Sequence, residues 1–399
     1  MDLINRIKSA VVRSLTIREP NGWVSDAARA DSGELVTFET AMALSAVWAC
    51  VNLLSGTIST LPLSVYKRDD DTRVDASKHP LYSLLHDSPN FNQTAVDFWE
   101  LMAASLELKG NAFARKVKTG NRIVALEPIY VEVLVTKNID GSLRYRWTED
   151  GNSFDVSEAD VLHIRGFGGN ALGGFSTLHF ARNSFGIARA VDKSAGSTFK
   201  NGMRPSGALT FEKFLNEEQR KIVEERLVKK FYGAVNSGRP LILEGGTKWE
   251  PLTINPEDAQ MLESRKFSVE EICRFFGVPP HMVGHTEKNT SFGTGLEQQT
   301  LSFIKFTLRR RLKRIEQSIN KQLLTPADRA AGFYVEFDLE ELLRGDSKAR
   351  AEYYESGLRV GWFKLNEVRK KEKLPPVPGG DVVRIQMQNV PITEAGNAD

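Results

Sequence analysis

The hydrophobic positions of this chain change their period several times, and each change predicts a boundary between elements. Residues 1–37 are rich in Gly, Asp and Ser and show no sustained period, so a loosely structured arm is expected there. The stretch TAMALSAVWACVNLLSGTI then places Leu44, Trp48, Val51, Leu54 and Ile58 at helical spacing, which predicts one buried helix ended by Pro62. LSVYKR reads as a short strand, and the charged residues 69–73 as a solvated turn. His79-Pro80 opens a short helix. A second helix, over residues 93–109, feeds Phe98, Leu101, Leu106 and Leu108 into a core before Gly110-Asn111 stops it. Across residues 112–164 the period falls to two, with turn signals at Thr119-Gly120-Asn121, Asp140-Gly141 and Asp150-Gly151-Asn152. That pattern predicts a predominantly antiparallel sheet.

Helical periodicity returns at residues 178–200, with Ser176 as N-cap and Asn201-Gly202 as stop, in a helix rich in Ala and Gly. A small αβ insertion follows: strand GALTF, a helix over residues 216–232, strand PLILEG and strand KWEPLTI. Asn255-Pro256-Glu257-Asp258 is a strong helix start, and a second capping signal at Ser268 predicts a bend there. Gly277-Val278-Pro279-Pro280 breaks the chain, and the polar loop HMVGHTEKNTSFGTG leads into the longest helix, over residues 296–324. Its apolar line Leu301, Ile304, Leu308, Leu312, Ile315, Ile319, Leu323 would run for roughly 40 Å at the α-helical rise. Strand GFYVEFDL, a charged helical region over residues 339–356 and a short helix closed by prolines complete the pattern, with a loose tail after residue 381. No repeat of solenoid length occurs.

Composition narrows the classes. With 41% hydrophobic and 26% charged residues, the chain carries enough apolar surface for a folded core. A formal net charge of +2 is far from that of a protein gripping phosphates with its whole surface, so any hold on nucleic acid must be local or weak. Cys50 and Cys273 form no metal or redox motif and read as small buried apolar groups in a reducing compartment. The N-terminus is basic and amphipathic but lacks the apolar run and cleavage site of a secretory signal. Residues 41–65 hold no charge, yet Asn52, Ser55, Gly56, Thr57, Ser59, Thr60 and Pro62 interrupt them, which favours a buried helix over a membrane span.

Candidate chemistry is sparse. His281 and His285 have a spacing that suits zinc on a helix, but no Glu stands in the HExxH position and the prolines before them disturb the backbone. The glycine pairs at 168–169, 173–174 and 245–246 lack the spacings that cradle phosphates, and no GxSxG elbow is present. No catalytic, cofactor or metal site is therefore expected. The basic set Lys305, Arg309, Arg310, Arg311, Lys313 and Arg314 is compatible with DNA, a partner subunit or a solvated face.

Several stretches together resemble the portal proteins of long-tailed bacteriophages with heads of the Hong Kong ninety-seven type. They are AVWACVNLLSGTISTLPLSVYKR, HPLYSLLHDSPN, GNAFARK, NGMRPSGAL, DLEELLRGDSKARAEYY, NEVRKKEKLPPVPGGD and, most specific, RKFSVEEICRFFGVPPHMVGHTEKNTSFGTGLEQQTLSFIKFTLRRRLKRIEQSINKQLL. The resemblance implies an α+β subunit of a ring, usually dodecameric, in the virion at a capsid vertex, assembled in the host cytoplasm. By element order it implies an N-terminal arm (1–37), a wing (38–177), a first stem helix (178–203), a clip (204–254) and a second stem helix (255–270). A wing continuation (271–339) with a tunnel loop (281–295) and long helix (296–324), and a crown with C-terminal tail (340–399), would follow. Double-stranded DNA would pass the tunnel loop without sequence preference, against Lys288, Asn289, Thr290 and Ser291. Glu217, Arg220, Lys221, Glu224 and Arg239 of the clip would face the large terminase subunit and the head-completion adaptor. The capsid or scaffolding protein would be a further partner, and no cofactor is implied. Two other readings stay open: a ring or adaptor of a phage or secretion assembly without DNA in its channel, and a metal-dependent hydrolase using His281 or His285.

Overall fold

Capping groups decide where several helices of this chain begin. The computed structural model describes residues 28–69, 72–200, 207–210, 217, 248–251, 256–285, 294–339, 347–372 and 374–384. In chain order β1 is Ala28–Arg29, β2 Leu35–Val36, α1 Phe38–Met42, α2 Ser45–Thr60, β3 Leu63–Asp69, β4 Thr72–Asp75, α3 Pro80–His86 and α4 Ala95–Lys109. Thr37 and Thr94 each close a reciprocal capping box, on Thr40 and Asp97, and the His79 ring accepts from the Leu81 backbone N–H to start α3 at its proline. Each such cap is worth about 1 kcal/mol. Gly110, at φ 71°, ends α4 in the left-handed conformation that its sequence position predicted.

The predicted single helix over Thr40 is two. Leu44, extended at φ −78° and ψ 121°, separates α1 from α2 and acts as its N-cap. The buried stripe of α2 is accordingly Val47, Cys50, Val51, Leu54 and Ile58, and Trp48, expected inside, is 57% exposed. The expected single sheet is also two. β5 (Asn111–Thr119), β6 (Arg122–Pro128) and β10 (Val161–Arg165) form one antiparallel sheet in the order β10-β5-β6. β7 (Leu134–Lys137), β8 (Leu143–Glu149) and β9 (Asn152–Ser157) form the other, joined by an Asp150-Gly151 turn with both residues at positive φ. Pro128 lacks an N–H for the ladder and ends β6, and Val133 and Tyr145 then pack with Phe113 and Trp147 in a core of their own. A third sheet has the order β13-β3-β4, with β13 at Phe333–Phe337.

α5 (Thr177–Phe180) starts on the Ser176 hydroxyl, which accepts from the His179 N–H, and α6 (Arg182–Lys200) follows after a break at Ala181. β11 (Gly207–Thr210) pairs antiparallel with β12 (Lys248–Pro251), and α7 runs from Pro256 to Phe276. α7 is continuous through Ser268, so the capping signal that predicted a bend there begins no new helix. After a 3-10 turn at Pro280–Val283 come α8 (Thr294–Ser302), a π-helical segment (Phe303–Leu308), α9 (Arg309–Gln322) and α10 (Pro326–Ala330). The main core joins α2, α4, α6 and α7 through Val47, Leu54, Leu108, Phe185, Ile272 and Phe276. Both cysteines are free and buried in it, their sulfurs 3.9 Å apart.

Gly174, one of the glycines that fit no phosphate loop, has a packing role. Gly110, Gly166 and Gly174 meet backbone to backbone, the Gly166 N–H donating to the Gly110 carbonyl at 2.8 Å. A Cβ on Gly174 would lie 2.5 Å from that same carbonyl oxygen. Gly174→Ala is expected to cost about 1–3 kcal/mol, read as a lowered urea midpoint. Gly120→Ala, a turn substitution with nothing within 4 Å, separates this overpacking from backbone strain alone.

Residues 337–399 form a separate unit. An aromatic cluster of Tyr353, Tyr354, Trp362 and Phe363 joins its α11 (Ser347–Val360) to the turn before α12 (Leu365–Lys371). The Asn366 side chain accepts from the Val377 N–H at 2.9 Å and donates to the Val377 carbonyl and Asp381, holding the proline-containing segment on α12. Residues 1–27 of the expected arm, the helix at 218–232, strand PLILEG and the tail from 385 lie outside the described residues.

Candidate functional site

Two segments carry the functional expectations, and in both the structure describes the frame. At the insertion, the β11–β12 register pairs Gly207 with Pro251 and Thr210 with Lys248, so residues 211–247 leave and re-enter on one two-stranded base. In chain order that base lies between α6 and α7, which pack together and share an Arg265–Asp192 ion pair of 3.1 Å. Glu217 is helical and exposed, while Arg220, Lys221, Glu224 and Arg239 lie outside the described residues.

At the loop, Lys288, Asn289, Thr290 and Ser291 likewise lie outside the described residues, and both of its ends are described. On the entering side, Val278 N–H donates to the Cys273 carbonyl at 3.0 Å and Gly284 turns the chain at φ 83°. His285 Nε2 lies 3.6 Å from a Glu270 carboxylate oxygen. Among the described residues no group of three His, Cys, Asp or Glu side chains is placed to hold a metal, so His281 and His285 do not come together with further ligands.

The leaving side holds the least expected feature. The predicted unbroken helix over residues 296–324 contains the π-helical turn Phe303–Leu308. This turn shifts the buried phase, so that Phe303, Leu308, Leu312, Ile315 and Ile319 face inward while Leu301 is 48% exposed. Arg311 enters the core in that phase. Its guanidinium forks onto Glu107 of α4 at 2.6 and 2.7 Å and donates to the carbonyls of Phe276 and Thr307 at 2.8 and 3.1 Å. Both side chains of the pair are 8% exposed. The Thr307 hydroxyl adds a bond of 2.8 Å to the Gly277 carbonyl. One arginine thus ties α4, the end of α7 and the π turn together, fixing both sides of the loop to one point.

The other cations of this helix divide by environment. Lys313 pairs with Glu316 at 2.8 Å and Glu336 at 2.7 Å; burial works to lower its pKa but these carboxylates outweigh it and raise the pKa overall. Arg310 and Arg314 make no ion pair or side-chain hydrogen bond among the described residues, and burial lowers the pKa of both. They line a cleft with Arg274, Phe175, Phe180 and Phe275. Sequence reading missed this aromatic surround, because its rings come from segments about one hundred residues apart.

Across the α9–β10 junction, Gln322 imitates a strand edge, accepting from the His163 N–H and donating to the His163 carbonyl, both at 2.8 Å. Lys116 Nζ donates to the Gln322 carbonyl at 3.0 Å, and burial lowers its pKa to about 8. Both contacts hold the far end of the helix that follows the loop.

The family model for "Phage portal protein" matches residues 45–373, from α2 through α12. The chain belongs to the phage portal protein family. The portal protein of Enterobacteria phage HK97 is 40% identical over 367 residues, covering 90% of this chain and 85% of that one. The probable portal protein of Streptomyces phage phiC31 is 35% identical over 365 residues, with 88% and 79% covered. The α+β portal fold agrees with solved structures: a chain of a native gene transfer agent virion has a TM-score of 0.66 at 22% identity, covering 92% of this chain and 99% of that one. An HK97-family portal protein from Corynebacterium diphtheriae has a TM-score of 0.52 at 19% identity, covering 77% and 97%. Both likenesses bear on fold. The chain is a portal protein by descent, and the Arg311 anchor and the two-stranded base are the parts of that portal fold that frame its loop and its insertion.

Proposed function

We propose that this portal protein closes into a ring of twelve copies at a capsid vertex of a virion, and that double-stranded DNA passes along the ring axis during packaging and ejection. The observation that carries the reading is the family match over residues 45–373 together with 40% identity to the HK97 portal protein. A gene transfer agent neck was solved with C12 symmetry, which supports the subunit number. The near-neutral charge suits a conduit, because a channel that held phosphates tightly would stall the duplex sliding through it. The loop carrying Lys288, Asn289, Thr290 and Ser291 would offer weak contacts repeated by the ring symmetry, from the base that Arg311 fixes.

The remaining assignments belong to the same reading. α6 and α7 serve as stem helices, and the insertion between β11 and β12 as the clip that meets the large terminase subunit and later the head-completion adaptor. The wing meets the capsid or scaffolding protein. The ring contributes a shaped passage and docking faces, with assembly in the host cytoplasm and packaging power from a separate ATPase.

Negative-stain imaging and mass measurement of the purified chain test the ring. The expected result is a particle near twelve times 44.6 kDa with an axial hole. A strictly monomeric protein under all assembly conditions would sink the reading. Replacing Lys288 with Ala and shortening the loop across residues 288–291 is expected to reduce packaged DNA severalfold in an assembly assay. Unchanged packaging would remove the loop from translocation while leaving the ring in place.

A further inference from the structure

Among the described residues two arginines of α9 have no acid partner, and the phenylalanines around them are exposed. Arg310 and Arg314, with Arg274, line a cleft of about 510 Å³ between α9, the end of α7 and α5. Phe167, Phe180, Phe175 and Phe275 around it are 72%, 58%, 46% and 40% exposed. Three of these rings form an edge-on chain, Phe167 to Phe175 at 6.3 Å and Phe175 to Phe180 at 5.1 Å. Singly exposed apolar side chains need no explanation, whereas four converging rings beside unpaired guanidinium groups have the composition of an interface centre.

The occupant must supply both an acid and an apolar body. A duplex would satisfy the arginines through its phosphates and leave the rings wet, since bases in a duplex are not free to stack on them. A closed ring, in contrast, requires every subunit to bury two different faces against its neighbours, head to tail. The same chain carries a face of the complementary kind. Trp48 of α2, 57% exposed, borders a hollow with Asp97 and Glu100 of α4. Among the described residues Glu100 makes no ion pair or hydrogen bond, so its carboxylate is open to a forked guanidinium.

We propose that the cleft around Arg310 and Arg314 of one subunit receives the Trp48–Glu100 face of the next, making this pair of faces an intersubunit contact of the ring. The inference rests on the ring reading above, and its test is chosen so that the two fail separately. Full-length chain carrying the photo-cross-linker p-benzoylphenylalanine in place of Phe180, and separately of Phe167, is assembled and irradiated. The expected product is a covalent dimer whose joined peptide contains Trp48 or Glu100. Rings that form normally yet give no covalent dimer, or a link to another segment of the neighbour or to DNA, overturn the proposal and leave the ring intact. Absence of rings from the unsubstituted chain overturns the ring reading first.

A charge exchange supplies the second arm. Arg310→Glu with Arg314→Glu is expected to raise the concentration at which rings dissociate roughly tenfold or more. Adding Glu100→Arg is expected to recover much of that loss. Assembly indifferent to the double reversal, in a chain whose circular dichroism shows it folded, counts against the pairing of faces.

Discussion

Arg311→Met is expected to lower the stability of the chain by about 3–5 kcal/mol, the usual cost of removing one partner from a buried ion pair. Methionine replaces most of the stem volume, so the loss is electrostatic rather than a cavity effect. It strands the Glu107 carboxylate, 7% exposed, with neither of the guanidinium hydrogens that now reach it. It also frees the carbonyls of Phe276 and Thr307. The double variant Glu107→Leu with Arg311→Met removes both charges and is expected to recover more than half of the loss, because a matched apolar pair is often as stable as a buried ion pair. Recovery stays incomplete, since each orphaned carbonyl costs about 1–3 kcal/mol when it finds no donor. Urea midpoints of the two variants decide the matter. If the double variant were no more stable than Arg311→Met, the stranded charge would not be the source of the cost, and the anchor would be a packing contact alone.

That anchor shows how far sequence could reach. Element types along the chain were legible, because caps such as Ser176 and turns such as Asp150-Gly151 act through neighbours in the chain. The inward placing of Arg311 was legible in principle, as it falls in phase with Leu308, Ile315 and Ile319. Its partner was not, since Glu107 stands 204 residues earlier and nothing local marks it as the complement. The π turn was hidden for a different reason. One extra residue in a helix changes which of two apolar lines faces inward, and residues 301–308 offer candidates for both in Leu301, Phe303, Ile304 and Phe306. The division of the β region into two sheets was missed because alternation reports a strand and not its partner. The family resemblance carried what periodicity could not, the membership of the chain in the portal family. The cleft of Arg310 and Arg314 escaped both routes, being assembled from α5, α7 and α9 only on folding.

Acid should destabilise this chain earlier than its carboxylates alone would, through His163. The imidazole is buried between β5 and β8, its Nε2–H donating to the Asn111 side-chain Oδ1 at 2.8 Å and its Nδ1 accepting from the Tyr145 hydroxyl at 3.2 Å. Asn111 is in turn fixed by the Gly174 N–H and carbonyl, so the ring is held in its neutral form by a chain of partners that all suit one tautomer. Burial lowers its pKa from 6.5 to about 3, with the nearby Arg165 charge acting the same way. The unfolded chain therefore binds a proton that the folded chain refuses, and stability falls as pH drops below about 6.5, by at most about 1.4 kcal/mol per pH unit until the folded ring also protonates near pH 3. Over the whole window the loss amounts to roughly 4–5 kcal/mol. His163→Gln keeps a donor and an acceptor but cannot titrate. Between pH 7 and pH 4.5 the parent chain is expected to lose about 2–3 kcal/mol more than this variant, measured from urea midpoints at each pH. The comparison cancels the carboxylates, which both chains share. Parallel pH profiles for the two would mean that the folded chain takes up the His163 proton as readily as the unfolded one, with Nδ1–H donating to the Tyr145 oxygen instead of accepting from it while Nε2–H still donates to Asn111.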